Sequence, residues 1–344
     1  MTIYTTNPLT DPRWDELVEN HPRASAFHHR GWLSALANTY GYQPLALTSC
    51  PPQEKLEDAV VLCVVSSWLT GKRLVSLPFT DHCDPLLRRP EDAQAFSNWL
   101  RAECDRRHCR YVELRPRTQG DPCGMQAGRT YHFHVLDLSP SLNQLFESLH
   151  KVSGRRNIRR ARKEEIWCDV GTSPRHVEQF YRLMLMTRRR HRLFPQPLSW
   201  FQNLVAGMGA KAQIWLARKD QTTVAAMLTL RHRSSVMYKY GCSDAKLHKL
   251  GGMPFLFWNL IEQGKADGAK EIDFGRSDTA NEGLARFKDR FGARRERLVY
   301  YQYSKCDRPV MEHRKELGFF RSLLPMMPDL LLSTGGRLLY RHMG

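Results

Sequence analysis

What the chain lacks narrows its class. No stretch approaches the roughly 20 apolar residues of a membrane-spanning helix, and the longest apolar run is only Ala59–Val65. The opening residues, Met-Thr-Ile-Tyr-Thr-Thr-Asn-Pro, carry neither a basic segment nor an apolar core. A leader peptide is therefore not expected, and a cytoplasmic protein is. The nine cysteines are odd in number, scattered, and form no Cys-x-x-Cys pair, so reduced thiols fit and a zinc module does not. There is no Gly-x4-Gly-Lys-Ser/Thr loop, no Gly-x-Gly-x-x-Gly fingerprint and no Gly-x-Ser-x-Gly elbow. Phosphate-loop, dinucleotide and serine-triad chemistries lose their usual signatures.

Acids are also scarce. Asp and Glu number 35 against 52 Lys and Arg, a net charge of +17. Such a balance favours an anionic partner: a phosphate-bearing substrate, tRNA, or an acidic membrane surface. The rest is ordinary. With 344 residues, 42% hydrophobic and 25% charged, the chain can build two globular domains.

One order of elements runs through the chain twice. Trp32–Tyr40 reads as a helix ended by Gly41, followed by strands at Pro44–Thr48, Ala59–Ser66 and Leu74–Leu77. A loop, Pro78–Pro85, leads to a helix over Glu91–Arg107 and strands at Tyr111–Leu114 and Tyr131–Asp137. The second round opens on a helix capped by Ser173 and Pro174, then a helix over Leu198–Met208. Strands come next at Ala212–Arg218, Thr223–Arg231 and Ser235–Tyr240, then a helix over Pro254–Asp267 ended by Gly268. A strand at Glu271–Phe274, a helix behind a Thr279–Glu282 capping box and a strand at Leu298–Tyr303 complete it. The expected fold is α+β and duplicated, each half a mainly antiparallel mixed sheet with flanking helices. Expected limits are 1–145, 146–305 and a basic, apolar tail at 306–344, with the joint near 139–150. The tail suits helices packed on the body, or a segment lying on an anionic bilayer.

Four places carry chemistry. Lys151–Lys163 places Arg155, Arg159 and Arg162 on one helical face and Arg156, Arg160 and Lys163 on the next, with no acid before Glu164. Like charges so spaced repel unless a polyanion sits on them, and further arginines stand at 188–192 and at 286, 290, 294, 295 and 297. Phosphate binding by Arg155 and Arg156 is expected, against the alternative of a solvated face. Gly241, Gly251 and Gly252, before a helix start at Pro254, can turn backbone N–H groups toward an anion, or can form a plain turn. Lys288 is expected at the edge of an apolar face made by Leu284, Phe287 and Phe291, where an ammonium can steady a developing oxyanion. Asp273 can take the proton of an attacking amine. Finally, Asp81, His82, Cys83 and Asp84 stand where the Gly241–Asp244 turn stands in the second half. Substrate orientation by Asp81 and His82 is expected rather than a metal site.

In order, Ala24–Leu33, Arg155-Arg-Asn-Ile-Arg-Arg-Ala161, Tyr238-Lys-Tyr-Gly-Cys-Ser-Asp244, Asp273-Phe-Gly-Arg-Ser-Asp278 and Arg286-Phe-Lys-Asp-Arg-Phe-Gly292 give the chain a family resemblance. It resembles the FemABX-like superfamily, and within it bacterial proteins with a BioF2-like acetyltransferase domain of GNAT type, some of them from exosortase and exopolysaccharide loci. The resemblance implies tandem GNAT-like domains and an enzyme that moves an acyl or aminoacyl group to an amine of a cell-envelope or exopolysaccharide precursor. It implies acyl-CoA or aminoacyl-tRNA as co-substrate, no tightly bound cofactor and no metal. It also implies a carbonyl-stabilising role for Lys288, and substrate contacts from the matched motifs: Arg155, Arg156, Asn157, Tyr238, Tyr240, Ser243 and Arg276. Two departures stand out. The segment that holds the CoA pyrophosphate in simple GNAT enzymes reads His248-Lys-Leu-Gly-Gly-Met253 here, differing at its first and last positions. No coiled-coil arm of the kind some FemABX proteins carry is evident. The alternative function is a non-catalytic binder of tRNA or anionic lipid on a degenerate GNAT fold; under either reading the tail is compatible with a peripheral place at the inner face of the cell membrane.

Overall fold

The computed structural model describes residues 1–68, 70–118, 125–304 and 327–343. They form two compact units, the first of residues 1–131, 298–304 and 338–343, the second of 132–297 and 327–337. The first unit contains β1 (Tyr4–Thr6), α1 (Trp14–Asn20), α2 (Arg30–Tyr40), β2 (Gln43–Thr48), β3 (Val60–Ser67), β4 (Gly71–Val75), α3 (Ala93–Arg106) and β5 (Tyr111–Leu114). Strand β6 (Gln126–Asp137) begins in it and ends in the second unit.

The second unit contains α4 (Leu142–Ser148), α5 (Asn157–Lys163), β7 (Trp167–Gly171), α6 (Pro174–Arg190), α7 (Leu198–Met208), β8 (Ala212–Lys219), β9 (Thr222–His232), β10 (Ser235–Ser243), α8 (Gly252–Ala266), β11 (Glu271–Asp278) and α9 (Glu282–Asp289). Strand β12 (Arg294–Tyr303) and helix α10 (Asp329–Met343) each pass from the second unit to the first.

In the first unit β1, β2, β3 and β4 pair antiparallel in succession, β4 pairs parallel with β5, and β5 pairs antiparallel with β12. In the second, β7, β8, β9 and β10 form an antiparallel meander and β10 pairs parallel with β11. Each unit is thus a mixed sheet with a single helical crossover between parallel strands, α3 in one and α8 in the other. The sequence explains the cores. Val60, Val61, Leu62 and Cys63 on β3 are all buried, as are Val224–Leu228 on β9, because both sheet faces are covered. Phe96, Leu100, Leu74 and Val112 centre one core; Phe257, Ile261, Ile272 and Phe274 centre the other.

Helix ends follow their side chains. Gly41, at φ +72°, closes α2 and donates to the Ala37 carbonyl at 2.9 Å. Ser173 caps α6 and Pro174 opens it, as the sequence predicts. Helix α9 departs from its expected cap: Asn281 Oδ1 accepts from the Leu284 amide at 3.1 Å, with Glu282 already in the first turn. Asn281 immediately precedes the helix, whereas Thr279 stands too early to reach its amides. Helix α5 forms despite its charge, because Ile158 and Ala161 are buried against α8. Of the expected tail, residues 306–326 lie outside the described residues. Among the described residues no helix is long and apolar enough to cross a membrane.

Candidate active site

The second unit has an opening built into its sheet. The parallel ladder of β10 and β11 runs only from Ser235 to Met237 against Glu271 to Asp273, although both strands continue for several residues. Beyond Met237, β10 keeps its ladder with β9 through Ser243 and shifts register between Tyr238 and Tyr240. A strand that loses one neighbour while keeping the other presents backbone N–H and C=O groups to an extended ligand.

The C-terminal end of β10 is fastened from the other side by α6. The Ser243 amide donates to Thr187 Oγ1 at 3.0 Å, Arg190 Nη1 donates to the Ser243 carbonyl at 3.1 Å, and Ser243 Oγ lies 2.8 Å from His248 Nε2. Burial, and then Arg190, lower the His248 pKa below the ordinary histidine value. Tyr240 is buried and its hydroxyl accepts from Trp200 Nε1 at 3.1 Å. Burial raises the pKa of the half-buried Tyr238, whose hydroxyl stands where a Cβ on residue 241 would be, 1.9 Å away. Gly241 is what lets that ring lie down.

Helix α8 starts one residue after a turn that needs glycine. Gly251 has φ +76°, and a Cβ there would meet the Asn157 carbonyl oxygen at 2.4 Å. At Gly252 it would meet Val224 Cγ2 at 2.8 Å. Both glycines are therefore set by close packing of α5 and the sheet against the helix start, which itself begins at Gly252 rather than Pro254. A helix N-terminus flanked by Arg190 and His248 suits an anionic group.

Below β11 lies a buried charge cluster. Asp273, buried between Ile272 and Phe274, accepts from the Gly275 amide at 2.6 Å and shapes a turn with Gly275 at φ +69°. Lys288 is 2% exposed, and its Nζ donates to the carbonyls of Gly275 at 2.9 Å and Arg276 at 3.0 Å. The sequence placed Lys288 at the edge of an apolar face including Leu284. Instead Leu284 is exposed, while Ala285 and Lys288 point inward together. Next to Lys288 sits His134, fully buried, with Nε2 3.1 Å from Asp289 Oδ1. Burial, and then the Lys288 charge, push its pKa down to about 4. Burial favours a neutral Asp289, but its bond to Arg295 outweighs that and holds the carboxyl below the ordinary range. The pairing of His134 with Asp289 carries no local sequence signature.

The basic run splits into two parts. Lys151–Arg156 makes one π-helical turn, with the Arg155 amide donating to the His150 carbonyl at 3.2 Å, and runs into α5. Such turns recur at functional sites. Arg156, Arg159, Arg160, Arg162 and Lys163 are exposed; Arg155 is half-buried. Arg160 donates to the Lys249 carbonyl at 3.2 Å, and Arg162 pairs with Glu262 at 3.3 Å, so part of the run is anchored to α8 and its leading turn. Asn157 Nδ2 donates to the Ser153 carbonyl at 3.1 Å.

Two expected substrate contacts lie in the first unit. The Asp81 carbonyl accepts from the Tyr300 hydroxyl at 2.6 Å, and His82 is buried with its ring edge-on to Phe27, 5.4 Å between centroids. Cys83 is buried 3.4 Å from His28 Nε2, and burial drives its thiol pKa well up, so it is a poor nucleophile. Among the described residues no group of three or more His, Cys, Asp or Glu could hold a metal ion.

Residues 151–289 match a family model described as an acetyltransferase (GNAT) domain. No curated protein matches the chain in sequence. Among solved structures, FemX is similar at 13% identity and a TM-score of 0.66, over 93% of this chain and all of FemX. The C-terminal domain of an Agrobacterium fabrum protein, assigned as a lysylphosphatidylglycerol synthetase, is similar at 14% identity and a TM-score of 0.59, over 96% of this chain and 99% of that one. A tandem GNAT protein from the clavulanic acid biosynthesis pathway gives 11% and 0.51, over 89% and 99%. At such identities these likenesses speak for the fold alone. Residues 151–289 therefore match a GNAT-type acetyltransferase domain, and the chain as a whole shares the fold of FemX and of the tandem GNAT protein.

Proposed function

We propose that the protein transfers an acyl or aminoacyl group from an activated donor, an acyl-CoA or an aminoacyl-tRNA, to an amine of a cell-envelope or exopolysaccharide precursor. The observation that carries this reading is the parting of β10 and β11 inside the matched domain, with the Lys288 ammonium buried beneath the turn of β11. The donor's acyl arm lies along the unpaired edge of β10, and its phosphates meet the start of α8 beside Arg190 and His248. The amine nitrogen attacks the acyl carbonyl carbon. A C–N bond forms, the C–S bond of a thioester or C–O bond of a tRNA ester breaks, and the leaving group takes a proton. The developing oxyanion is steadied by the nearby Lys288 charge, and Asp273 accepts the amine proton. The exposed arginines of α5 hold phosphates of donor or acceptor. FemX and the synthetase domain point toward aminoacyl transfer; the His248–Met253 segment, unlike the simple GNAT pattern, agrees with that choice.

The test uses the full chain with CoA esters and with aminoacyl-tRNA, each beside amine acceptors, scoring amide product by mass. Lys288→Ala is expected to lower kcat about 100-fold, with a thermal melt to confirm that the variant is folded. A folded variant with the wild-type rate removes Lys288 from the mechanism. Tight, salt-sensitive tRNA binding with no amide from any donor replaces the enzyme by a binding protein.

A further inference from the structure

The first unit displays an apolar patch for which the transfer chemistry has no use. Trp68, at the turn between β3 and β4, is 87% exposed. The end of α10 is fastened to the same turn. Ser67 Oγ lies 3.0 Å from His342 Nδ1, Thr70 Oγ1 and Arg73 Nη2 donate to the His342 carbonyl at 2.9 and 2.8 Å, and the Trp68 and His342 rings meet edge to face at 5.7 Å. Leu338, one helical turn before His342, shares its face and is 65% exposed; Met343, next to it, is 56% exposed. A tryptophan, a leucine and a methionine are thereby held out in water on a rigid support.

The surroundings identify the occupant. Arg110 lies across the turn, its Nη1 donating to the Thr70 carbonyl at 3.0 Å; half-buried Lys72 on β4 and exposed Arg341, next to His342, are its neighbouring cations in the chain. No Asp or Glu occurs from residue 59 to 80, or after Asp329. Apolar side chains with an aromatic at the tip, set beside cations on acid-free stretches of the chain, match the acyl–headgroup boundary of an anionic membrane. We propose that this surface docks the protein on an anionic lipid bilayer, with Trp68, Leu338 and Met343 entering the interface and Lys72, Arg110 and Arg341 meeting headgroups. The docking is independent of the transfer reaction and is read by binding alone.

The test is flotation of the full chain with vesicles of phosphatidylcholine, alone or mixed with phosphatidylglycerol. Binding is expected only with the anionic mixture, weakening as salt rises. Trp68→Ser, and separately the pair Leu338→Ser and Met343→Ser, should each weaken it about tenfold (the cost of the lost apolar contact) with an unchanged melting temperature. Wild-type protein that floats with neither vesicle overturns the proposal, as does a Trp68→Ser variant that floats like wild type. Equal loss of duplex RNA binding in Trp68→Ser assigns the surface to nucleic acid and overturns it too.

Discussion

Each unit carries one parallel strand pair bridged by a helix, and each pair holds its ladder for three residues, Arg73–Val75 against Tyr111–Glu113 and Ser235–Met237 against Glu271–Asp273. Past the ladder the two units diverge. In the first unit the chain after β4 folds back and sews the strand ends together. The Ser76 amide donates to the Glu113 carbonyl at 2.8 Å, the Arg115 amide to Ser76 Oγ at 2.8 Å, and the Cys83 amide to the Arg115 carbonyl at 2.6 Å. Asp84 then takes the Arg117 and Thr118 amides at 3.1 Å each. Leu77 and Phe79 tolerate φ of 53° and 63° to make this possible, a strain of about 1 kcal/mol or more each that only a tightly packed loop sustains. In the second unit the chain after β10 is drawn aside to α6 and enters α8 through two glycines. The same architecture is sewn shut in one copy and left as a backbone edge in the other. That difference, rather than any single residue, assigns the proposed chemistry to the second unit.

The comparison breaks most readily at the glycines. Gly41 and Gly251 both adopt left-handed backbone at a helix boundary, but a Cβ on Gly41 meets nothing within 4 Å, whereas one on Gly251 meets a backbone oxygen at 2.4 Å. Gly41→Ala should cost about 1 kcal/mol, the conformational term alone. Gly251→Ala must also push α5 off the start of α8, for a total of about 4 kcal/mol, and should abolish donor binding. Denaturant titration of both variants decides it; equal costs would mean that α5 does not press on that turn.

A pH series sharpens the same contrast. Each unit buries a histidine held neutral: His28, lowered by burial, with Nε2 2.9 Å from the Asp84 carbonyl oxygen, and His134, lowered to about 4. Between the ordinary value near 6.5 and about 4, the unfolded chain binds a proton at His134 that the folded chain refuses. Stability should therefore fall as pH drops through that window, by up to about 3 kcal/mol from this residue, and be flat above it. Melting temperature against pH for wild type and His134→Gln checks the assignment. If His134→Gln leaves the acid slope unchanged, the loss belongs to His28 and the first unit.

The meander, the crossover helices and most boundaries were legible because apolar period and turn chemistry agree locally. Leu198–Met208 and Tyr111–Leu114 coincide with their predicted limits, and Gly41 and Ser173 end and start helices as their backbone and side-chain preferences require. Elements held by tertiary contacts alone were not legible. Strand β7, Trp167–Gly171, is a short run whose ladder is supplied entirely by β8, and β1 is likewise held by β2. The site divided the same way. Motif order pointed to Lys288, but a local face pattern put it at an edge. Its burial depends on the two carbonyls of the β11 turn, and His134 reaches Asp289 across 155 residues. Neither partner pairing leaves a trace within a helical or strand period.

The smallest expected effect concerns the helix that carries Lys288. Helix α9 is eight residues long and starts from the Asn281 cap, whereas α3, the crossover helix of the other unit, starts after Asp92 with no side-chain cap bond. Asn281→Ala should cost about 1 kcal/mol, or about 2 °C in melting temperature for a chain of this size, and Asp92→Ala next to nothing. Because Lys288 lies in the last turn of α9 and is tied to Gly275 and Arg276, fraying of the first turn should not move it. Turnover by Asn281→Ala is then expected within about twofold of wild type, the level at which a loosened cap leaves a positioned group in place. A loss in kcat comparable to that of Lys288→Ala would mean that the whole of α9, and not the carbonyl anchors, holds the ammonium where the reaction needs it.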